Sequence, residues 1–344
     1  MTSSGRLVPE VDGLRFVAIA SVLLFHAGDA VARALPAGGS PWLATLLAGG
    51  NAGVPLFFAV SGFVIGLPFA EHALLGGPPV SLRKYVLRRL TRLEPPYLAN
   101  LLLLSVLLWH HGEPVRSILV HLVPSAVYQH ALVFGTWSPI NFVAWSLEVE
   151  VQLYVLAPLL ARAFFLPAGT RRALLAAAVV LGSLVNAALS GQGPNRFNLS
   201  AAAWIHYFLI GLLMADLRVT GDLRRWEPRT WGLLGLLAWG AMIPIRLSGT
   251  GYPLLFPAAV AAAFAATLAS PLWRRILSGP WITTIGGMCY TIYLYHPAIM
   301  QLALPYVPLT SRLGAVLILS LVAILVSIPL FVLLERPFMA WRRR

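Results

Sequence analysis

Long apolar runs recur along the chain, each bounded by Pro, Gly or Arg, with the polar residues gathered between them. A helix needs roughly 20 mostly apolar residues to cross a bilayer. Ten segments fit: 12–34, 53–71, 95–111, 141–166, 172–190, 199–217, 229–247, 252–270, 281–304 and 313–337. The pattern predicts an all-α polytopic membrane protein of about ten transmembrane helices. Two stretches depart from it. Residues 81–94 (SLRKYVLRRLTRLE) are basic and amphipathic and stop at Pro95-Pro96, which predicts a helix lying at the interface. Residues 115–135 are mildly apolar and carry histidines, which predicts a short re-entrant or surface helix.

Composition sharpens this picture. Of 344 residues, 58% are hydrophobic and 11% charged, with a mean hydropathy of +0.79. Soluble domains are about 25% charged, so a disordered chain, a nucleic-acid-binding domain and most soluble enzymes are excluded. The first apolar run is long and is followed at once by more spans, so it reads as a span rather than a cleaved signal. With no internal repeat, residues 1–344 read as one membrane-embedded domain. Cys289 is the single cysteine, which leaves no intrachain disulfide or multi-cysteine metal site.

The charge, 25 basic against 12 acidic residues and net +13, acquires meaning from its distribution. Lys and Arg concentrate on the cytoplasmic side of membrane proteins. With the N-terminus inside, 20 basic residues fall on the inner side, among them Arg6, Arg15, Arg83, Lys84, Arg171, Arg172 and Arg342 to Arg344. Five fall outside: Arg33, Arg116, Arg196, Arg246 and Arg312. Ten helices with both termini cytoplasmic is the expected topology.

Ionisable groups inside spans are costly and mark function by default. His26 lies eleven residues beyond Arg15 in the first span, ~16 Å along a helix axis. Glu150, in a span running the other way, reaches a similar depth. Ser61, His206 and His296 fall in the same half. A neutral histidine oriented by a carboxylate is a general base suited to a hydroxyl proton, so His26 and Glu150 form the candidate catalytic pair. The alternative is that these groups simply bond helix to helix. His110, His111, His121 and His130 read as loop residues without a metal-ligand spacing. Arg88, Arg89 and Arg92 form an Arg-Arg-x-x-Arg run in which Arg88 and Arg92 share a helix face. Arginine binds phosphate oxygens with a planar fork, although lipid headgroups would attract the same run. Glu335, followed by Arg336-Pro337, would by itself read as an ion pair fixing a helix end.

Six pieces in order resemble the acyltransferase 3 family of bacterial membrane O-acyltransferases: Pro9-Glu10-Val11-Asp12-Gly13-Leu14-Arg15 leading to His26; Gly53 to Phe63 with Ser61; Arg88 to Arg92 with Pro95-Pro96-Tyr97; Trp145-Ser146-Leu147 with Glu150, Gln152 and Tyr154; Tyr290, Tyr293-Leu294 and His296; and Glu335-Arg336-Pro337-Phe338. The resemblance implies transfer of an acyl group, usually acetyl from acetyl-CoA, to a hydroxyl of a glycan, lipid-linked sugar, peptidoglycan or antibiotic. It implicates Arg15, His26, Arg89, Arg92 and Glu335, with His26 as the catalytic histidine. Pro55, Val151 and Cys289 stand where family members often have Asp, Glu and Ser, which leaves Glu150 as the clearer acidic partner.

The expected mechanism places coenzyme A phosphates on Arg88, Arg89, Arg92 and Arg15, with the pantetheine arm reaching toward His26. Glu150 would orient His26, and Ser61, Ser146 or Tyr293 would stabilise the oxyanion. No permanent cofactor or metal is expected, and the partners are acyl-CoA, the hydroxyl acceptor and membrane lipids. The rival reading is a proton-coupled transporter or flippase of a sugar- or lipid-linked substrate, against which stands the lack of an inverted repeat. A covalent relay through Cys289 is a further variant, although a lone membrane cysteine is usually inert packing.

Overall fold

The computed structural model describes residues 8–35, 41–225, 227–248 and 252–341. Arg6 and Arg342 to Arg344, which the topology argument used, lie outside them. The described residues are helical, with no strand among them. In chain order the helices are α1 (Pro9–Ala34), α2 (Pro41–Ala48), α3 (Gly53–Leu75), α4 (Leu82–His110), α5 (Val115–Ala126), α6 (His130–Phe134), α7 (Trp145–Leu160), α8 (Ala168–Leu189), α9 (Ala201–Thr220), α10 (Pro228–Ser248), α11 (Tyr252–Ala269), α12 (Pro271–Leu277), α13 (Pro280–Gly287), α14 (Cys289–Ala303), α15 (Arg312–Leu330) and α16 (Arg336–Trp341). A π-helical turn, Phe331–Glu335, joins the last two.

Seven helical stretches among the described residues are long and apolar enough to cross a membrane, or eight if α11 and α12, bent by 92° at Ser270, count as one span. The chain is a multi-pass membrane protein. Two of the ten expected spans fall short individually. The first turns of α4 carry Arg83, Lys84, Arg88, Arg89 and Arg92, and α14 has only 15 residues.

Helix α1 is the hub and packs on α2, α3, α12, α13, α14 and α15. Small residues bring the other helices close, as is usual where lipid offers no hydrophobic drive between helices. On α3 and α9, a methyl group at Gly62 would overlap the Phe208 carbonyl, and one at Gly211 would overlap the Ala59 carbonyl. On α13, a methyl group at Gly286 would overlap the Asp12 carbonyl of α1.

Three local expectations change. The basic stretch 81–94 is not a separate interfacial helix. Ser81 caps it, its Oγ accepting from the Lys84 N–H at 3.4 Å, and the helix continues through Pro95-Pro96 to His110. Within that region the Leu93 carbonyl also accepts from the Tyr290 hydroxyl at 2.8 Å, which ties α4 to α14. The expected span 281–304 is broken at Met288 into α13 and α14, where Gly286 meets α1. Segment 115–135 forms two short helices, and its histidines are not loop residues: His130 begins α6, fully buried, and bonds His121 of α5, Nε2 to Nδ1, at 2.9 Å.

Some arginines assigned to topology have structural partners. Arg171 and Arg172 both bond the buried Asp216 at 2.5 Å, and Arg172 also bonds Asp222. These pairs tie the start of α8 to the end of α9.

Candidate active site

The candidate residues divide between two cavities that lie along α1. The first, about 70 Å³, is lined by Arg15 of α1, Ser61 of α3, Arg89 and Arg92 of α4, Ser146, Glu150 and Tyr154 of α7, and Cys289, Tyr290 and Tyr293 of α14. The second, about 720 Å³, is lined by His26 and Arg33 of α1, His111 and Glu113, Asn141 and Phe142, and Leu294, Pro297 and Gln301. That volume lies within the usual range for small-molecule sites, roughly 300–1,000 Å³.

The first cavity is built around cations. Arg15 bonds Asp12 one turn back, at 2.7 Å. Arg89 lies against two aromatic faces, 5.8 Å from the Tyr85 ring centroid and 5.5 Å from that of Tyr154, and such faces attract a guanidinium. The Tyr85 hydroxyl in turn donates to the Tyr154 carbonyl at 2.8 Å. Glu335, buried on the π turn, accepts from the Thr291 hydroxyl at 2.5 Å, and its charge faces Arg92 and Arg15. A buried carboxylate outside the lining thus faces two arginines of the cavity. Arg88 is not among the lining residues. It is exposed and lines a separate depression with Glu71 and Lys84. Helix spacing alone would put Arg88 near Arg92, yet of the three only Arg89 and Arg92 line the cavity.

Glu150 accepts from the Ser61 hydroxyl at 2.6 Å and from the Tyr154 hydroxyl. The direct Glu150–His26 bond expected from matched depth is not made among the described residues. Depth along two helices fixes height, not which face each residue presents. Ser146 meets the Tyr293 hydroxyl at 2.7 Å, and Tyr293 also donates to the Val143 carbonyl at 3.1 Å. Behind Tyr293 stands His296, at a ring-centroid separation of 5.9 Å, and then His26, a further 5.1 Å on. Tyr293, His296 and His26 therefore form the layer between the cavities. His26 is also packed edge-on to Phe25 and Phe142.

Two residues that the sequence reading missed hold this layer. Asn141 donates to Asn100 at 2.8 Å and to the Leu294 carbonyl at 3.0 Å, and Asn100 donates to the same carbonyl at 3.2 Å. All are buried. They lock α4, the start of α7 and α14 together beside His26. An asparagine within an apolar run was the available signal for both. Glu148 caps α6, accepting from the Ala131 N–H at 2.8 Å. His206 is buried against Tyr207 and lines neither cavity. Cys289 is buried at the cavity end near Arg15, Arg92 and Glu335. Among the described residues no group of three or more His, Cys, Asp or Glu is placed to hold a metal ion.

Comparison with known proteins adds a family to this geometry. The peptidoglycan O-acetyltransferase of Listeria monocytogenes is 24% identical over 90% of this chain and 52% of its own length. A protein of Komagataeibacter xylinus named as a candidate membrane-bound transacylase is 28% identical over 97% of this chain and 84% of its own. A protein of Bacillus subtilis named as a candidate peptidoglycan O-acetyltransferase is 28% identical over 62% of this chain and 34% of its own. The chain thus spans about half the length of the Listeria relative. No solved structure matches. A family model described as an acyltransferase domain matches residues 8–332, and with that match across nearly the whole chain, the protein belongs to the acyltransferase 3 family.

Proposed function

We propose that this protein is an O-acyltransferase of the bacterial inner membrane. It moves an acyl group, by preference acetyl, from acyl-CoA to a hydroxyl of a glycan, a glycolipid or a glycosylated natural product. The observation that carries this reading is a pair of cavities along α1, one lined by Arg15, Arg89 and Arg92 and the other, larger, lined by His26. A thioester donor carries several phosphates at one end and a reactive carbonyl at the other. Arginines suit the first, and a neutral imidazole suits the chemistry at the second.

In the proposed reaction the donor enters from the arginine side, with its phosphates at Arg89 and Arg92 and its slender arm running along α1. The ~16 Å between Arg15 and His26 along the helix matches the reach of that arm. The acceptor occupies the larger cavity. His26 takes the hydroxyl proton as the oxygen attacks the carbonyl, and the thiolate then leaves with that proton. The Tyr293 and Ser146 hydroxyls line the donor cavity, where a developing oxyanion would find donors. Glu150, held by Ser61 and Tyr154, serves the donor side, and Glu335 balances the arginine charge. Ten crossings with both ends in the cytoplasm fit the basic-residue bias and put the arginines on the side where acyl-CoA is made.

The peptidoglycan acetyltransferase name of the Listeria relative supports a cell-envelope glycan as acceptor. The test is purified protein in lipid vesicles with labelled acetyl-CoA and candidate glycan or glycoside acceptors. Label recovered as a hydroxyl ester supports the reading. No acyl-CoA binding and no turnover, together with movement of an unmodified substrate across the vesicle, would favour a transporter.

A further inference from the structure

Pro297 sets the chemistry of its neighbour. It brings no N–H to α14, so the Tyr293 carbonyl one turn back has no helical donor. His296 supplies one, its Nδ1 lying 2.8 Å from that carbonyl and 3.2 Å from the carbonyl of Ile292. A carbonyl only accepts, so Nδ1 carries the proton and Nε2 presents a lone pair. His296 is wholly buried, and Nε2 has no hydrogen-bond partner among the described residues. A buried acceptor left bare is unusual and calls for a partner.

The ring beside it is His26, with centroids 5.1 Å apart and planes tilted by 41°. The same molecule contains a second histidine pair with nearly the same geometry. His121 and His130 have centroids 5.1 Å apart and a tilt of 43°, and they are hydrogen-bonded, Nδ1 to Nε2, at 2.9 Å. His26 and His296 therefore stand at the separation of a bonded imidazole pair. A half-turn of the His26 ring exchanges its nitrogen and carbon positions within one envelope, so the ring can turn an N–H toward His296 without moving its centroid. Neither nearby carboxylate competes. Asp29, one turn along α1, is engaged by Arg33, and Glu150 by Ser61 and Tyr154.

The geometry points to His296 as the positioning residue for His26: its Nε2 accepts one ring N–H of His26 and leaves the other His26 nitrogen unprotonated toward the acceptor cavity. What His26 then does rests on the acyl-transfer reading. The bare nitrogen takes the acceptor proton while the new oxygen–carbon bond forms, and it returns that proton to the sulfur as the carbon–sulfur bond breaks. The N–H facing His296 stays in place throughout, and its bond strengthens while His26 is cationic. Pro297 thus selects the tautomer of one histidine, and that histidine selects the tautomer of the other.

Diethyl pyrocarbonate, which acylates an unprotonated imidazole nitrogen, reads this coupling without any acceptor or coenzyme. Carbethoxylation of His26 is followed by peptide mass spectrometry in wild type, His296→Phe and His296→Gln. Gln keeps an oxygen acceptor near the Nε2 position, and Phe keeps only the bulk. The expected result is modification of His26 slowed about tenfold in His296→Phe and within about twofold of wild type in His296→Gln. His296→Leu gives the same readout if the Phe variant does not fold. Equal rates in all variants, or no modification of His26 in wild type, overturn the proposal. Labelled acetyl-CoA turnover measured alongside separates the two readings: the expected pattern of His26 modification without turnover keeps the pairing and removes the acyl-CoA assignment.

Discussion

The Tyr293 hydroxyl meets the Ser146 hydroxyl at 2.7 Å and so joins α14 to α7 in the wall of the arginine-lined cavity. Tyr293 also donates to the Val143 carbonyl. Removing the phenol oxygen in Tyr293→Phe removes both the contact with Ser146 and one donor to the Val143 carbonyl. The expected cost is about 1 kcal/mol of stability, read as a lowered melting temperature in detergent, with a larger fractional loss of acyl transfer. An active variant with unchanged kcat would show that this hydroxyl does not touch the reaction.

Arg89 is held by two aromatic faces, a contact better suited to a planar guanidinium than to an ammonium. Arg89→Lys therefore loses donor affinity although it keeps the charge. The expected effect is a KM for acetyl-CoA raised roughly tenfold, equivalent to about 1.4 kcal/mol. Arg88→Lys, at an exposed position outside the cavity, should leave KM within about twofold. Equal effects at the two positions would contradict the inward assignment of Arg89.

Gly286 touches neither cavity lining, yet a side chain there would overlap the Asp12 carbonyl, one turn before Arg15. Gly286→Ala should push α13 away from α1 and destabilise by about 1–3 kcal/mol. Thermal unfolding checks this, and a fall in activity at temperatures where the variant remains folded would show that the α1 register matters to Arg15.

Asp222 lies beyond the end of α9. The hydrogen bond from Arg172, aided by Thr220, holds its carboxyl below the ordinary value of 3.8. A depressed carboxylate contributes stability that is present above its unfolded pKa and is lost as pH falls through the folded one. The melting temperature of the wild type should therefore fall more steeply below pH ~4 than that of Asp222→Asn. Parallel curves for the two proteins would remove this contribution.

Much of the architecture was legible in the sequence because apolar run length is a strong physical signal. The helices at 9–34, 53–75, 168–189 and 201–220 follow it closely. The breaks were harder to see. Pro95-Pro96 reads as a stop, but α4 passes through it, whereas the run after Pro280 reads as continuous and is interrupted where Gly286 meets α1. At the site, residue types and order grouped Arg15, Arg89 and Arg92, and these three line one cavity. Which face each residue presents depends on helix rotation, which depth arithmetic ignores. That is why Glu150 was paired with His26 and is bonded to Ser61 and Tyr154, and why Arg88 was grouped with arginines whose cavity it does not line. Asn100 and Asn141 act through carbonyls on distant helices, and no local spacing records that.

The most direct test of the central claim compares acetyl-CoA binding and acyl transfer in wild type and His26→Ala. The account places the donor arginines in one cavity and the base at the boundary with the other. It therefore predicts a dissociation constant for acetyl-CoA within about threefold of wild type and acyl transfer reduced by at least roughly 10²-fold. Transfer retained by His26→Ala, or acetyl-CoA binding lost with it, would contradict the account.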